Sequence, residues 1–474
     1  MKSNPSFIRG LTISLAFLAV GAVAWTDPVS QPPNGATNTP LTISSASDIK
    51  LGTLSIASLI ATDIDTNSIS IRTGAGAGKV LVSDASGNGT WQTLSSGGTT
   101  TTILGSLAKF GMSYFAACGV ADVGSTKCAG SFTSRNGTFY QSVTPIAHPD
   151  FTNIKSMAFK QAVGGDIFSA VDVYCAIMSD NTIKCAGGTQ GNGIDYDPSI
   201  WDLSGLTGAT SITVAAGTFS PIVVCGLMSD KTVKCAGGNQ YGGLGDGTTT
   251  SRYTAAAVPG LLNVIQISGR GYHICALIQG GTMKCWGWGR YGELGDGTSG
   301  DYNYALTPRA VSGITTATQI STGYSHTCAL LSDKTAKCWG YNHFGNSGYG
   351  STTPYSFNNP GPLFGVSNLK QIEVGGTHTC ALTEAGAVYC AGADTFGELG
   401  DGGCGSGSAF PTPTQVIGLS SGVRELGQLG TFSSLAIMQD GTTRYWGING
   451  GGTSGNGNTD GNNTCVNPVQ TNFR

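Results

Sequence analysis

From about residue 105 onward, short apolar runs alternate with glycine-rich polar breaks, and no stretch sustains a helical period. Leu-Leu-Ser-Asp-Lys-Thr-Ala-Lys-Cys-Trp-Gly shows the pattern around Ser332-Asp333-Lys334, where apolar residues run into a three-residue polar loop and resume after it. The same form recurs at Glu384-Ala385-Gly386 and Gln439-Asp440-Gly441. A three-residue loop between apolar runs, often with glycine at the left-handed position, predicts a β-hairpin. If Asp333 is the centre, Cys328 faces Cys338 at a non-hydrogen-bonded pair, close enough for a disulfide to join the two strands.

The hairpin is one part of a longer repeat. Cys118 and Cys128, Cys175 and Cys185, Cys225 and Cys235, Cys275 and Cys285, Cys328 and Cys338, and Cys380 and Cys390 share a ten-residue separation. A seventh copy carries Leu435 and Tyr445 at the cysteine positions, and the copies follow one another at 50 to 57 residues. Each copy has room for four strands. A strand near Val264 to Ser268 precedes the hairpin and a segment around Ala305 to Val311 follows it. Four-stranded units repeated seven times predict an all-β, seven-bladed β-propeller, because radial closure leaves few free strand edges. Each staple closes a short loop and contributes about 2.8 kcal/mol in the loop-entropy picture. Cys404 and Cys465 lie in corresponding loops of the sixth and seventh copies and are expected to join them.

Residues before the repeats read differently. Lys2 and Arg9 precede a fourteen-residue apolar run, Leu11 to Ala24, that ends in Ala22-Val23-Ala24. That is the form of a signal peptide over 1–24, too short to span a bilayer. Residues 25–104 lack cysteine and are rich in Thr, Ser, Gly and Asn, which predicts a strand-rich or partly disordered spacer before a propeller over 105–474. Export into an oxidising compartment fits fourteen cysteines, so the expected location is secreted, periplasmic or cell-surface. No later apolar run reaches membrane length.

Candidate chemistry changes this picture little. Gly74, Gly76 and Gly78 precede Lys79, but Val80 stands where a phosphate loop needs Ser or Thr. Gly418-Leu-Ser420-Ser-Gly422 lacks the strand-to-helix setting of a nucleophile elbow. Asn456-x-Asn458-x-Asp460-Gly461 has a calcium-loop cadence, yet Asn467 replaces the bidentate Glu. Asp246, Asp296 and Asp401, each in Gly-Asp-Gly, read as turn residues. His273, His326 and His378 stand two residues before the first cysteine of successive copies and read as structural, each bonding a neighbouring blade. Ala116, Val173, Val223 and Ser433 at the equivalent positions would break any ring of metal ligands. No catalytic set, metal site or cofactor is expected.

His-Thr-Cys-Ala-Leu, the Asp/Gly turn, Cys-Trp-Gly, an aromatic-Gly pair and Glu-Leu-Gly-Asp-Gly resemble the regulator of chromosome condensation repeat. The resemblance spans about 370 residues and implies a seven-bladed ring. Four copies depart from it, with Ala129, Ala186, Ala236 and Ala391 where the family has Trp. The family's best-known member is a nuclear exchange factor for a small GTPase, and the family also includes secreted bacterial propellers that bind enzymes through one face. A net charge of −3 with 24 basic residues and no basic cluster speaks against a nucleic-acid partner. Loops rich in Tyr, Asn, Gly and Ser follow each Gly-x-Leu-Gly segment: Tyr253, Tyr302, Tyr304, Tyr349, Tyr355, Phe357, Asn358 and Phe410 are the candidate contacts. The reading is an exported binding module for a protein or glycan. Its rivals are an extracellular enzyme using the axial pocket and the family's exchange-factor role.

Overall fold

The computed structural model describes strand segments between residues 11 and 187, then residues 203–217, 222–361, 364–403 and 409–449, followed by 453–454, 456 and 465–471. It divides into two compact units, Met1–Gly105 and Ser106–Arg474. In the first, Lys79–Ser83 pairs antiparallel with Gly89–Thr93. The expected calcium-cadence segment beyond Asn456 and nearly all of the expected signal peptide lie outside the described residues. So does Cys404, and with it the expected bond to Cys465.

The second unit is an all-β propeller, with no helix among the described residues. Six four-stranded antiparallel sheets and one three-stranded sheet follow each other along the chain, each ordered as in the sequence. The expectation of seven four-stranded blades is met in six; at the second copy the described residues give three strands, Ile154–Ala162, Val171–Met178 and Ile183–Gly187. The fifth blade's outer strand is reduced to Ser356–Phe357. Pro354 and Pro360 flank it, and proline has no N–H to give a ladder.

The hairpins pair in the expected register. Cys118 faces Cys128, Cys175 faces Cys185, and Cys225 faces Cys235. Cys275 faces Cys285, Cys328 faces Cys338, and Cys380 faces Cys390. A disulfide joins each facing pair, with Cα atoms 4.0–4.1 Å apart. These cysteines are all in the core. In the seventh blade Leu435 and Tyr445 face each other instead. They pack with Ile437 against Ala117 and Ala129 of the first blade, which closes the ring with apolar contacts.

Blades are joined along their first strands. The inner edge of such a strand has no further strand to pair with, so its backbone needs other partners. Gln266 supplies them across the seam: its Oε1 accepts from Ile320 N at 2.9 Å and its Nε2 donates to Ile320 O at 2.9 Å. Gln371 repeats this on Leu426 at 2.8 and 2.9 Å, and Gln319 Oε1 accepts from Ile372 N at 2.9 Å. A carboxamide stands in for the missing peptide group.

A second stitch lies at the hairpin turns. Lys231 and Lys334 adopt φ of 63° and 64°, and Gly281 and Gly386 take 88° and 81° at the same position. The carbonyls of these four residues accept from Val264, Leu369, Ala317 and Val423, the first residues or near-first residues of the following blades.

From the third blade to the seventh the seams come in two kinds. Trp286, Trp339 and Trp446 each bury an indole against the preceding blade and donate Nε1 to Gly243 O, Glu293 O and Glu398 O at 2.9, 2.8 and 2.8 Å. Gly245, Gly295 and Gly400 leave room for that ring, each beside Val258, Val311 or Val416. At the fifth-to-sixth seam Ala391 replaces Trp. There Phe364, at the position of those valines, fills the space against Gly348. Trp plus Val is exchanged for Ala plus Phe.

Candidate functional site

An antiparallel meander sends alternate turns to opposite ends of a sheet. In every complete blade the first-to-second turn and the third-to-fourth loop emerge together, and the second-to-third turn emerges at the other end. The two ends carry different chemistry.

Four of the second-to-third turns share one polar form, while the fourth and sixth blades turn through Gly281 and Gly386. Asp180, Asp230, Asp333 and Asp440 accept through Oδ1 from the amide and hydroxyl of Thr182, Thr232, Thr335 and Thr442. The Thr side-chain bonds, then the amide bonds, hold the carboxyls of Asp180, Asp230 and Asp333 below the usual aspartate range.

The other end carries a band of aromatic side chains over the third, fourth and fifth blades. Tyr241 stacks on Trp288 with centroids 5.0 Å apart and planes 8° from parallel, and Tyr272 meets Trp288 edge-on at 5.0 Å. Tyr304 lies 5.6 Å from Tyr241. The guanidinium of Arg290 sits over Trp288 at 5.6 Å and over Tyr291 at 5.1 Å, held by Asp301 at 2.7 Å. From Tyr291 the band continues to Tyr341 at 4.8 Å, then to Tyr355 at 5.3 Å, which contacts His343 at 4.5 Å. Tyr302 is 88% exposed beside it.

Below this band the loops are anchored in the seams. Glu293 Oε2 accepts from Tyr291 N at 2.8 Å, and Glu398 Oε2 accepts from Phe396 N at 2.7 Å. Burial pushes both carboxyls up to about 8. Their backbone oxygens receive the Trp indoles and also the hydroxyls of Thr327 and Ser434, at 3.0 and 3.3 Å. Those hydroxyls meet the histidines: His273 Nε2 lies 2.8 Å from Thr327 Oγ1, His326 Nε2 3.0 Å from Thr379 Oγ1, and His378 Nε2 2.8 Å from Ser434 Oγ. Each bond crosses from one blade to the next. Burial depresses His326 and His378 to about 3, so both rings are neutral. Arg270, fully buried, donates to Leu429 O at 2.7 Å and to Thr431 Oγ1 at 3.3 Å, bridging the fourth and seventh blades across the ring.

Of the sequence candidates, Tyr304 and Tyr355 lie in the aromatic band and Tyr302 beside it. Tyr253 is 44% exposed on the outer strand of the third blade. Phe357 packs against the core with Tyr349 edge-on at 5.3 Å, and Phe410 packs against the core of the sixth and seventh blades. Asn358 gives its carbonyl to Gly297 N and braces the loop of the preceding blade. The hairpin cysteines reach neither end: Cys128, Cys185, Cys235, Cys285, Cys338 and Cys390 are buried in third strands, each bonded to its partner in the second. Sequence reasoning passed over Tyr241, Trp288, Arg290, Tyr291 and Tyr341. Their signal is the aromatic that follows Cys-Trp-Gly and the aromatic-Gly pair, positions locked to the repeat and not in the variable loops.

Radially stitched four-stranded meanders with an indole in the seam define a β-propeller. This chain is a propeller of regulator of chromosome condensation (RCC1) repeats, the family that matches residues 281–330, 317–346 and 369–398. It is similar to Prp20p of Saccharomyces cerevisiae, a structure described together with its binding to Gsp1p and histones, at TM-score 0.56 and 19% identity over 77% of this chain and 87% of that one. Yeast RCC1 (Prp20) bound to Kap60 aligns at TM-score 0.54 and 20% identity, over 72% and 80% of the two chains. Among curated proteins, the Arabidopsis thaliana ultraviolet-B receptor UVR8 is 28% identical over 177 residues, 37% of this chain and 39% of that one. The X-linked retinitis pigmentosa GTPase regulator of Canis lupus familiaris is 31% identical over 151 residues, 31% of this chain and 14% of that protein. The chain thus spans well under half the length of these curated relatives.

Proposed function

We propose that the protein is an exported binding module that holds a protein partner on the aromatic end of its third to fifth blades. The observation that carries this reading is the continuous band from Tyr241 through Trp288, Arg290 and Tyr291 to Tyr341 and Tyr355. Trp, Tyr and Arg are the residues that dominate protein–protein binding energy, and rings already packed on one another lose little entropy when a partner arrives.

Export is supported by the six disulfides and by the form of residues 1–24. A binding role in preference to an axial catalytic pocket is supported by Arg270, which crosses the ring. The cleft between Tyr241 and Tyr272 holds about 10 Å³, against several hundred for a small-molecule site. The relation to Prp20p raises nucleotide-exchange activity as a second reading. The acidic balance of the chain and its disulfides weigh against it.

The test is site-specific photo-crosslinking in the producing cells, with the probe at Tyr302 and, separately, at Asp333 on the opposite end. Adducts to one protein from position 302 alone support the reading. Equal labelling from both positions, or adducts only to polysaccharide, would overturn it.

A further inference from the structure

The loop after the third strand is built the same way in several blades. Asn239, Asn342 and Asn449 each accept through Oδ1 from the amide five residues on, at 2.9, 3.1 and 2.9 Å. The other end of the side chain is a donor facing acceptors. Asn239 Nδ2 donates to Thr248 O at 2.9 Å, Thr250 O at 3.2 Å and Asp246 Oδ1 at 3.2 Å. Asn342 Nδ2 donates to Ser351 O and Pro354 O at 3.0 and 3.2 Å.

The sixth blade keeps the layout but changes the residue. Asp394 Oδ1 accepts from Leu399 N at 3.0 Å, five residues on, as its siblings do. Oδ2 then stands where a donor stands elsewhere. It is buried without a hydrogen-bond partner, in a residue 0% exposed. Asp401 follows seven residues later, as Asp246 follows Asn239, and accepts from Gly403 N at 2.9 Å. A Cβ on Gly403 would lie 3.2 Å from Asp401 Oδ1 and 3.7 Å from Asp394 Oδ2, so both carboxyls flank one glycine.

The counter-charge differs too. Arg252 neutralises Asp246, and Arg309 neutralises Asp296 at 3.0 Å. Arg252 stands opposite Gly237, whereas Phe410 stands opposite the equivalent Gly392. Among the described residues Asp401 has no ion pair. Where sibling loops hold a buried side-chain donor and a paired aspartate, the described residues here hold two carboxylates, Asp394 and Asp401.

We propose that Asp394 and Asp401 bind a calcium ion, with main-chain carbonyls and water completing its shell. An all-oxygen set selects a hard cation, and calcium accepts irregular geometry where magnesium demands an octahedron. With two carboxylates, affinity belongs to the weak class of extracellular modules, about 10⁻⁴–10⁻³ M. The ion takes the place that the asparagine NH₂ and the arginine fill in the sibling blades.

The experiment is thermal unfolding and calorimetric titration of the whole purified chain at pH 7.5, in EDTA, in 5 mM calcium and in 5 mM magnesium. Calcium is expected to raise Tm by roughly 2 °C or more, and magnesium by less. Asp394→Asn installs the sibling solution. It is expected to fold, to match or exceed the parent's Tm in EDTA, and to lose both the calcium response and the titration heat. A parent chain indifferent to calcium would overturn the proposal, as would an Asp394→Asn chain that keeps the full response.

Discussion

The two ends of the ring are built from the same seven repeats but use them differently. At the polar end, Asp180, Asp230, Asp333 and Asp440 make one turn four times over, and Asn181, Lys231 and Lys334 give their carbonyls to the residues that open the next blade. At the aromatic end, the fourth blade offers Trp288, Arg290 and Tyr291, the fifth Tyr341, His343 and Tyr355, and the sixth Phe396. Uniformity marks positions whose work is to join one blade to the next. Differences between copies mark positions free to fit something outside the ring.

The comparison can be broken by perturbing what both ends share. Phe364→Ala empties the seam between the fifth and sixth blades and is expected to cost about 3–5 kcal/mol by urea unfolding. Hydrogen exchange should rise at both ends alike. Phe364→Val combined with Ala391→Trp should recover most of that loss by rebuilding the Trp seam, while Ala391→Trp alone should not. If the double variant is no better than the sum of its parts, the exchange of Trp plus Val for Ala plus Phe is not a packing unit.

The next effect separates the ends. Trp288→Ala or Arg290→Ala should weaken partner binding by at least about 30-fold, the scale of a hot spot of 2 kcal/mol. Asp333→Ala at the polar end should leave the affinity unchanged, as read by surface plasmon resonance with the crosslinked partner.

pH sharpens the contrast further. Glu293 and Glu398, raised to about 8 by burial, stabilise fully below about 4.5 and lose that contribution as pH rises through 8. The polar-end aspartates are lowered, so their contribution is present above about 3.8 and lost only as pH falls below it. His326 and His378, depressed to about 3, lose theirs as pH falls from about 6.5. After correction for intrinsic rates, hydrogen exchange between pH 5 and 9 should therefore rise in 289–297 and 394–400 and stay flat in 332–335. Glu293→Gln with Glu398→Gln should remove the rise.

The smallest effect is at the surface of the polar end. Lys334 and Glu384 pair at 2.7 Å across a seam, both about half exposed. Lys334→Ala should change stability by no more than about 0.5 kcal/mol. The backbone carbonyl at that position carries the stitch, and alanine keeps it.

Much of the ring was legible in the chain. The hairpin register followed from counting outward from Asp333, because a three-residue loop leaves one way to pair Cys328 with Cys338. The placement of His273, His326 and His378 near a neighbouring blade followed from their repetition. What stayed hidden depends on partners fifty residues away. Gln266, Gln319 and Gln371 look like ordinary polar positions in a half-buried strand until the next blade's backbone is set beside them. Phe364 reads as loop until Gly348 and Ala391 enclose it. The aromatic band was half legible. Variable loops draw notice to Tyr302, Tyr304 and Tyr355, while Trp288 and Tyr341 blend into the repeat.

The six staples also bear on how the chain can be made. Each closes a hairpin of ten residues, so both thiols leave any channel within moments of each other, before the next pair arrives. Neighbouring sulfurs in the sequence are the correct ones, and mispaired bonds have little opportunity to form or to need reshuffling. Oxidation can thus keep pace with threading, blade by blade, and what waits for the end is the dry contact of Leu435, Ile437 and Tyr445 with Ala117 and Ala129 that shuts the circle.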